Sequence, residues 1–119
     1  MIFKFKKQYP DSNRRRLESD KIREKYPERI PIICERDPES KISEIEKYKF
    51  LVPHDITVSQ FSFILRKRLK LEKSSAFFIL VNGKNSITGD SCIKEIYEKF
   101  KDNEDGFLYI SYTGDLMWG

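Results

Sequence analysis

The sequence is poor in cysteine, histidine, glycine and proline. There are two cysteines, one histidine, five glycines and five prolines in 119 residues. Cys34 and Cys92 stand 58 apart with no CxxC spacing. That pattern argues against a zinc cage and a disulfide framework, and fits a reduced, cytosolic chain. The single histidine, His54, lies in the polar loop Pro53-His54-Asp55, with no nucleophile beside it in sequence to complete a catalytic pair. No GxGxxG or GxxxxGK[ST] string is present, so the known phosphate-cradling loops are absent. No apolar run approaches 18 residues, as a membrane-spanning helix requires. The start, Met1-Ile2-Phe3-Lys4-Phe5-Lys6-Lys7, lacks the long apolar stretch of a secretory signal. Repeats and low-complexity linkers are also missing.

What is present is the material of one domain. Apolar residues make up 39% and aromatics 13%, too many for a disordered chain, and the length suits a single core. Twenty-three basic residues face nineteen acidic ones, a net charge of +4. Residues 1–29 hold ten Lys/Arg against five Asp/Glu, so the excess lies in the first quarter. Such a segment suits an acidic surface: a membrane, a polymer such as RNA or tubulin, or an acidic peptide. The competing reading is a solvated helix, because Glu18, Asp20, Glu24 and Glu28 interrupt the basic run after Arg14-Arg15-Arg16.

Periodicity gives the elements. A short helical turn is expected over 3–8. A mostly polar helix is expected over 11–25, capped by Asp11 or Ser12, with a narrow apolar stripe of Leu17, Ile22 and Tyr26 and a stop at Pro27. Residues 29–35 read as a buried strand in which Pro31 removes one ladder donor. Residues 47–52 alternate lysine with large apolar groups, the composition of an edge strand. Thr57-Val58-Ser59-Gln60 has the form of a capping box, and Val58, Phe61, Ile64, Leu65 and Leu69 follow at helical spacing. Residues 76–81 read as a third strand and 82–90 as loop. A short helix capped by Ser91 carries Cys92, Ile93, Ile96, Tyr97 and Phe100 on one face, and 106–112 form the last strand. One helix lying across a four-stranded sheet would bury these faces. Cys34, inside an apolar strand, reads as core. Cys92, near a helix N-terminus, has nothing nearby to complete a site, and every carboxylate reads as part of a solvated face. None of this points to an enzyme.

Several strings in order carry a more specific signal. They are Lys21-Ile22-Arg23-Glu24-Lys25-Tyr26-Pro27-Glu28-Arg29-Ile30-Pro31-Ile32-Ile33-Cys34-Glu35, Lys49-Phe50-Leu51-Val52-Pro53, Thr57-Val58-Ser59-Gln60-Phe61 and Arg66-Lys67-Arg68-Leu69. Ala76-Phe77-Phe78, Val81-Asn82 and Asp105-Gly106-Phe107-Leu108-Tyr109 continue the series. Together they resemble the autophagy ubiquitin-like modifier family, the group of microtubule-associated light chain three and the GABA-receptor-associated protein, from about residue 3 to residue 119.

The resemblance implies an α+β fold: a ubiquitin-like β-grasp with a four-stranded mixed sheet and two additional N-terminal helices. It divides a single domain into an N-terminal helical extension, 1–27, a ubiquitin-like core, 28–112, and a flexible conjugation tail, 113–119. It implies a modifier, not an enzyme, with no cofactor and no metal. Its C-terminal glycine, Gly119, would be activated as a thioester and passed by a ubiquitin-like E1/E2/E3 cascade to the amine of phosphatidylethanolamine. Family members usually carry residues beyond that glycine, which a cysteine protease removes; here the chain stops at Leu116-Met117-Trp118-Gly119. The same protease would delipidate the conjugate. The localisation implied is cytoplasmic, with the lipidated form on autophagosome membranes and in the vacuole or lysosome.

The family also binds aromatic-x-x-aliphatic (LIR-type) peptides of cargo receptors and autophagy factors by β-augmentation. Carried over position by position, the aromatic pocket would use Glu18, Ile22, Pro31, Ile33, Lys49, Leu51 and Phe107. The aliphatic pocket would use Phe50, Val52, Pro53, Ile56, Phe61, Ile64 and Arg68. Arg29, Lys47, Lys49 and Arg68 would meet acidic flanks. For the apolar members, core packing is the rival role. Two loops, 82–90 and 101–105, look extended relative to the family. The alternative function is a non-conjugated trafficking or microtubule-associated adaptor whose basic N-terminal helices bind tubulin or another acidic partner. Nucleic acid is not expected, for want of a base-stacking motif.

Overall fold

The computed structural model describes residues 1–114. Two helices, α1 (Lys4–Gln8) and α2 (Ser12–Lys25), precede strands β1 (Arg29–Arg36) and β2 (Lys49–Pro53). Helix α3 (Val58–Arg68), strands β3 (Phe78–Val81) and β4 (Asn85–Ile87), helix α4 (Ile93–Phe100) and strand β5 (Leu108–Thr113) follow. The described residues form one mixed sheet in the order β2-β1-β5-β3-β4. β1 pairs antiparallel with β2 and parallel with β5. β3 pairs antiparallel with both β5 and β4.

The sheet therefore has five strands where the sequence predicts four. The additional strand, β4, is too short and polar to show an apolar run, and only Ile87 of it is buried. Asn82 and Gly83 both take positive φ, 54° and 72°. That is the signature of the tight hairpin turn that Asn-Gly favours, and it folds β4 back on β3. At the other end of the molecule, β5 runs one residue past the expected core boundary, with Thr113 opposite Phe78.

The β period of two assigns each face of the sheet. Ile30, Ile32 and Cys34 of β1, Phe50 and Val52 of β2, and Leu108, Ile110 and Tyr112 of β5 meet Val58, Phe61 and Leu65 of α3 in the main core. The alternate residues face the N-terminal helices. There Ile33, Phe107 and Tyr109 pack with Phe3 and Phe5, and Ile22 and Tyr48 close the cluster. The capping box is present: the Thr57 hydroxyl accepts from the Gln60 N–H, and the Gln60 side chain accepts from the Thr57 N–H. At α4 the N-cap is Cys92, one residue beyond the expected Ser91, and it makes no side-chain cap bond. Cys34 is fully buried, and burial, with Glu35 beside it, holds its thiol far above the ordinary range.

The N-terminal helices attach by a different route from the one the sequence suggests. Leu17 and Tyr26, two members of the expected apolar stripe of α2, are 59% and 40% exposed. The residues that α2 buries are Arg15 and Ser19. Arg15 Nε donates to Asp105 Oδ2 at 2.7 Å, and a terminal nitrogen of Arg15 donates to the Tyr9 carbonyl at 2.6 Å. Asp105 also accepts from the Tyr109 hydroxyl at 2.5 Å and the Phe107 N–H at 2.9 Å, and the Ser19 hydroxyl donates to its carbonyl. Burial opposes the Arg15 charge, but the bond to Asp105 together with the nearby charges of Tyr109, Asp105 and Asp102 outweighs it and raises the pKa. Burial, reinforced by Asp105, pushes the Tyr109 phenol up. A second carboxylate, Glu35 of β1, accepts the first N–H groups of α1, from Lys4 at 2.7 Å and Phe5 at 3.0 Å. Asp105 and Glu35 thus correct the expectation that all carboxylates are solvated: both are buried and hold helices on the sheet. Helix termini require such partners because their end N–H groups have none within the helix.

Candidate functional site

One long edge of the sheet is open. Among the described residues, β2 has β1 on one side and no strand on the other. The Cys34 N–H donates to the Tyr48 carbonyl, so the even-numbered residues of β1 turn their backbone groups toward β2. By antiparallel alternation, Lys49 and Leu51, opposite Ile33 and Pro31, turn their N–H and C=O groups outward. Pro31 fits this register. Its missing N–H would have pointed toward β5, before that ladder begins at Ile32 opposite Leu108.

The residues expected to form the two pockets fall on opposite sides of this edge. On the helix α1/α2 side, Ile33 and Phe107 share one cluster with Ile22 of α2, and Pro31 lies on the same face of β1 as Ile33. Leu51 is half-buried beside Lys49. The Lys49 ammonium bonds to Glu18 at 2.8 Å. It also lies 5.1 Å from the centre of the Phe5 ring, 5.8 Å from Tyr9 and 6.0 Å from Tyr48. The sequence reading missed these three aromatic neighbours of Lys49. The aromatic spacing of Phe3, Phe5 and Tyr9 was the available signal.

On the α3 side, Phe50 and Phe61 meet edge to face at 5.7 Å. The Arg68 guanidinium lies 5.4 Å from the centre of the Phe50 ring. Ile56 and Ile64 are partly buried against the same core, and Val52 is buried within it. Pro53 is exposed at the end of β2. Phe61, Ile33 and Phe107 are at most 1% exposed. Those three are core residues, while Leu51, Ile22, Ile56 and Ile64 are only partly buried on the two sides of the edge.

The basic residues expected at the flanks lie along the same edge. Lys47 and Arg68 are exposed. Arg29 is exposed too, with a terminal nitrogen 3.4 Å from the outward carbonyl of Leu51, a long contact that a competing acceptor displaces easily. A cavity of about 130 Å³, lined by Phe5, Gln8, Cys34, Ile45 and Tyr48 among others, adjoins the start of β2. Among the described residues no group of His, Cys, Asp and Glu is arranged to hold a metal, and no helix is long and apolar enough to cross a membrane. Gly119, and the expected tail beyond Gly114, lie outside the described residues.

The comparisons with known proteins agree with one another. The family model described as "Autophagy protein Atg8 ubiquitin like" matches residues 14–119. The chain is 47% identical over 119 residues to "Autophagy-related protein 8" of Neosartorya fischeri, covering all of this chain and 98% of that one. It is equally similar to the protein of that name from Colletotrichum lindemuthianum, covering 96% of it. A crystal structure of Trypanosoma brucei ATG8 matches with a TM-score of 0.89 at 41% identity, over the full length of both chains. Matches of this extent in sequence and in fold place the chain in the Atg8 family of ubiquitin-like autophagy proteins.

Proposed function

We propose that this protein is a membrane-conjugated modifier that recruits peptide-bearing partners along the open edge of β2. The observation that carries the reading is that edge, flanked by partly buried apolar residues on each side. A peptide strand added to β2 would bond through the outward groups of Lys49 and Leu51. Side chains of an extended peptide alternate between faces, so residues three apart point to opposite sides. An aromatic-x-x-aliphatic spacing therefore sends one side chain toward Ile22 and Leu51 and the other toward Ile56 and Ile64. A spacing of two or four sends both to one side.

Burying one aromatic side chain of ~150–250 Å² at roughly 25 cal/mol/Å² contributes about 4–6 kcal/mol. Association and peptide ordering offset much of the total. The affinity expected for a single motif is micromolar, raised by avidity on a membrane. Lys47, Arg68, Arg29 and Lys49 supply charge for acidic residues around the motif. For Lys49 this means exchanging Glu18 for a ligand carboxylate.

Conjugation uses the carboxylate of Gly119. A free carboxylate is not an acyl donor, so it first attacks the α-phosphorus of a nucleoside triphosphate and releases pyrophosphate. A cysteine thiolate of the activating enzyme then displaces the nucleotide to give a thioester. After transfer between enzyme cysteines, the amine of phosphatidylethanolamine displaces the thiolate, loses a proton and forms an amide. A glycine suits the narrow channels of such enzymes because it has no Cβ. The two acyl chains then hold the protein on the autophagosome membrane, since each buried CH₂ contributes roughly 0.8 kcal/mol. A cysteine protease would reverse the step by hydrolysing the amide. The protein is the substrate of all these enzymes and catalyses none of the steps.

The alternative, an adaptor acting through its basic N-terminus alone, has less to work with than the sequence suggests. Arg15 is committed to Asp105, and Arg16 pairs with Asp20 at 3.2 Å. Reconstitution with the conjugating enzymes and vesicles containing phosphatidylethanolamine tests the proposal. The wild-type chain is expected to shift in mobility and Gly119→Ala is not, while both bind an aromatic-x-x-aliphatic peptide equally. Absence of a shift for wild type, or of peptide binding below a millimolar, refutes the corresponding half. Membrane or tubulin binding that ignores Gly119 and weakens steeply with salt would favour the adaptor.

A further inference from the structure

We infer that Gly114 and Ile42 form the slot through which the chain leaves the folded body, and that both are positioning residues for charging of the terminal carboxylate. The inference rests on the conjugation reading above.

β5 ends at Thr113, which is 4% exposed. A Cβ on the next residue, Gly114, would lie 2.8 Å from Ile42 Cδ1, 3.0 Å from Ile42 Cγ1 and 3.5 Å from the Ala76 carbonyl oxygen. Gly114 is not among the glycines of positive φ. A Cβ there therefore meets a steric contact with the end of the Ile42 side chain and not a backbone restriction. Ile42 is partly buried and its backbone is held in place, so what must shift is the end of its side chain. Its side chain packs on the main core, its carbonyl accepts from Arg36 at 3.0 Å and its N–H donates to the Ser40 hydroxyl at 3.2 Å.

The loop that carries Ile42 is in turn tied to β5. The Tyr112 hydroxyl donates to the Ser43 carbonyl at 2.7 Å and accepts from the Ile45 N–H at 2.8 Å. The Tyr112 carbonyl accepts from the Asp37 N–H at 2.9 Å. Tyr112 is two residues before Gly114, so the end of β5 and the loop that carries Ile42 are fixed to one another.

Residues 115–119 are the five positions from Gly114 to Gly119. Fully extended they span at most about 17 Å, so a change of about 30° in exit direction moves the stretched end by roughly 9 Å. In charging, the acyl carbon of Gly119 bonds to an enzyme thiolate as the nucleotide leaves with the electron pair of the broken acyl–phosphate bond. Such a reaction tolerates little misplacement of its atoms. A side chain at 114 displaces either Ile42 or the departing backbone, and it slows charging without touching the peptide edge.

The test compares wild type, Gly114→Val, Ile42→Ala and the double variant in thioester formation on the activating enzyme. Thermal midpoint and peptide affinity are measured on the same samples. Gly114→Val is expected to lower kcat about tenfold or more, with KM and peptide affinity within about twofold of wild type. Ile42→Ala in the same chain is expected to restore most of that loss by opening the slot. If Gly114→Val does not fold, Gly114→Ala replaces it, since its Cβ alone meets Ile42. Equal kcat for wild type and the Gly114 variant, or a loss that Ile42→Ala does not relieve, overturns the inference while leaving conjugation intact. A wild-type chain that is never charged overturns the conjugation reading and this inference with it.

Discussion

Arg15→Met removes the positive charge that faces Asp105 and keeps much of the aliphatic stem. The Asp105 side chain is fully buried and that of Arg15 is 6% exposed. Deleting one partner of such a pair costs about 3–5 kcal/mol, because the other charge stays buried without it. Asp105 keeps two donors, the Tyr109 hydroxyl and the Phe107 N–H, which places the expected cost near the lower end, about 3 kcal/mol. For a chain of this length that corresponds to a fall in Tm of about 12 °C, if the helices unfold with the sheet. The other attachments of α2 include Ile22 against the aromatic cluster, Ser19 on the Asp105 carbonyl, Glu18 on Lys49, and Arg23, which donates to the Arg29 carbonyl and lies over the Tyr97 ring. Detachment of α2 can precede global unfolding. Amide hydrogen exchange distinguishes the two. In Arg15→Met the α2 amides are expected to lose protection by about a hundredfold, while those of β1 and β5 change less. Peptide affinity is expected to fall as well, since Glu18 and Ile22 ride on that helix. Arg15→Met with Asp105→Asn is expected to be less destabilised than Arg15→Met alone. Unchanged α2 protection together with an unchanged Tm would refute the claim that this pair holds the helix.

Three further outcomes follow from the same geometry. Leu51→Ala is expected to weaken an aromatic-x-x-aliphatic peptide by about 1–2 kcal/mol in calorimetry, and to leave a peptide with alanine in the aromatic position unaffected. Thr57→Ala removes half of the capping box and is expected to cost about 1 kcal/mol in urea unfolding, with Gln60→Ala in the same chain adding little. Burial opposes the Asp102 charge, but the Lys6 hydrogen bond and the N–H groups of Glu104 and Asp105 outweigh it, so its folded pKa lies below the ordinary 3.8. Stability from this group is therefore full above that value and is lost as pH falls through the lower folded pKa. Asp102→Asn is expected to flatten the acid limb of stability against pH, and an unchanged limb would exclude Asp102 as its source.

Much of the fold is legible in the sequence, for local reasons. The capping box announces α3, Pro27 and Pro53 end their elements, and the alternation of Lys49 and Leu51 with Phe50 and Val52 separates the two faces of β2. The same alternation sorts the two proposed pockets. What is not legible depends on partners far apart in the chain. Arg15 and Asp105 meet across 90 positions, and nothing near either of them marks it as buried. Glu35 reads as a strand charge until α1 brings its N-terminus onto the carboxylate. β4 hides because two of its three residues face water, although its Asn-Gly turn was a usable sign. The slot at Gly114 requires knowing that Ile42, 72 positions earlier, returns beside it.

The parallel pairing of β1 with β5 also shapes how the molecule forms. Ile32 meets Leu108 across 76 positions, and β5 lies between β1 and β3. Until residues 108–113 arrive, the β1–β2 hairpin and the β3–β4 hairpin have no common neighbour, and each has two unsatisfied margins. Closing so large a loop late makes the sheet slow to assemble. The arrival of one central strand then joins the two hairpins and leaves β2 and β4 as the outer margins of the described sheet.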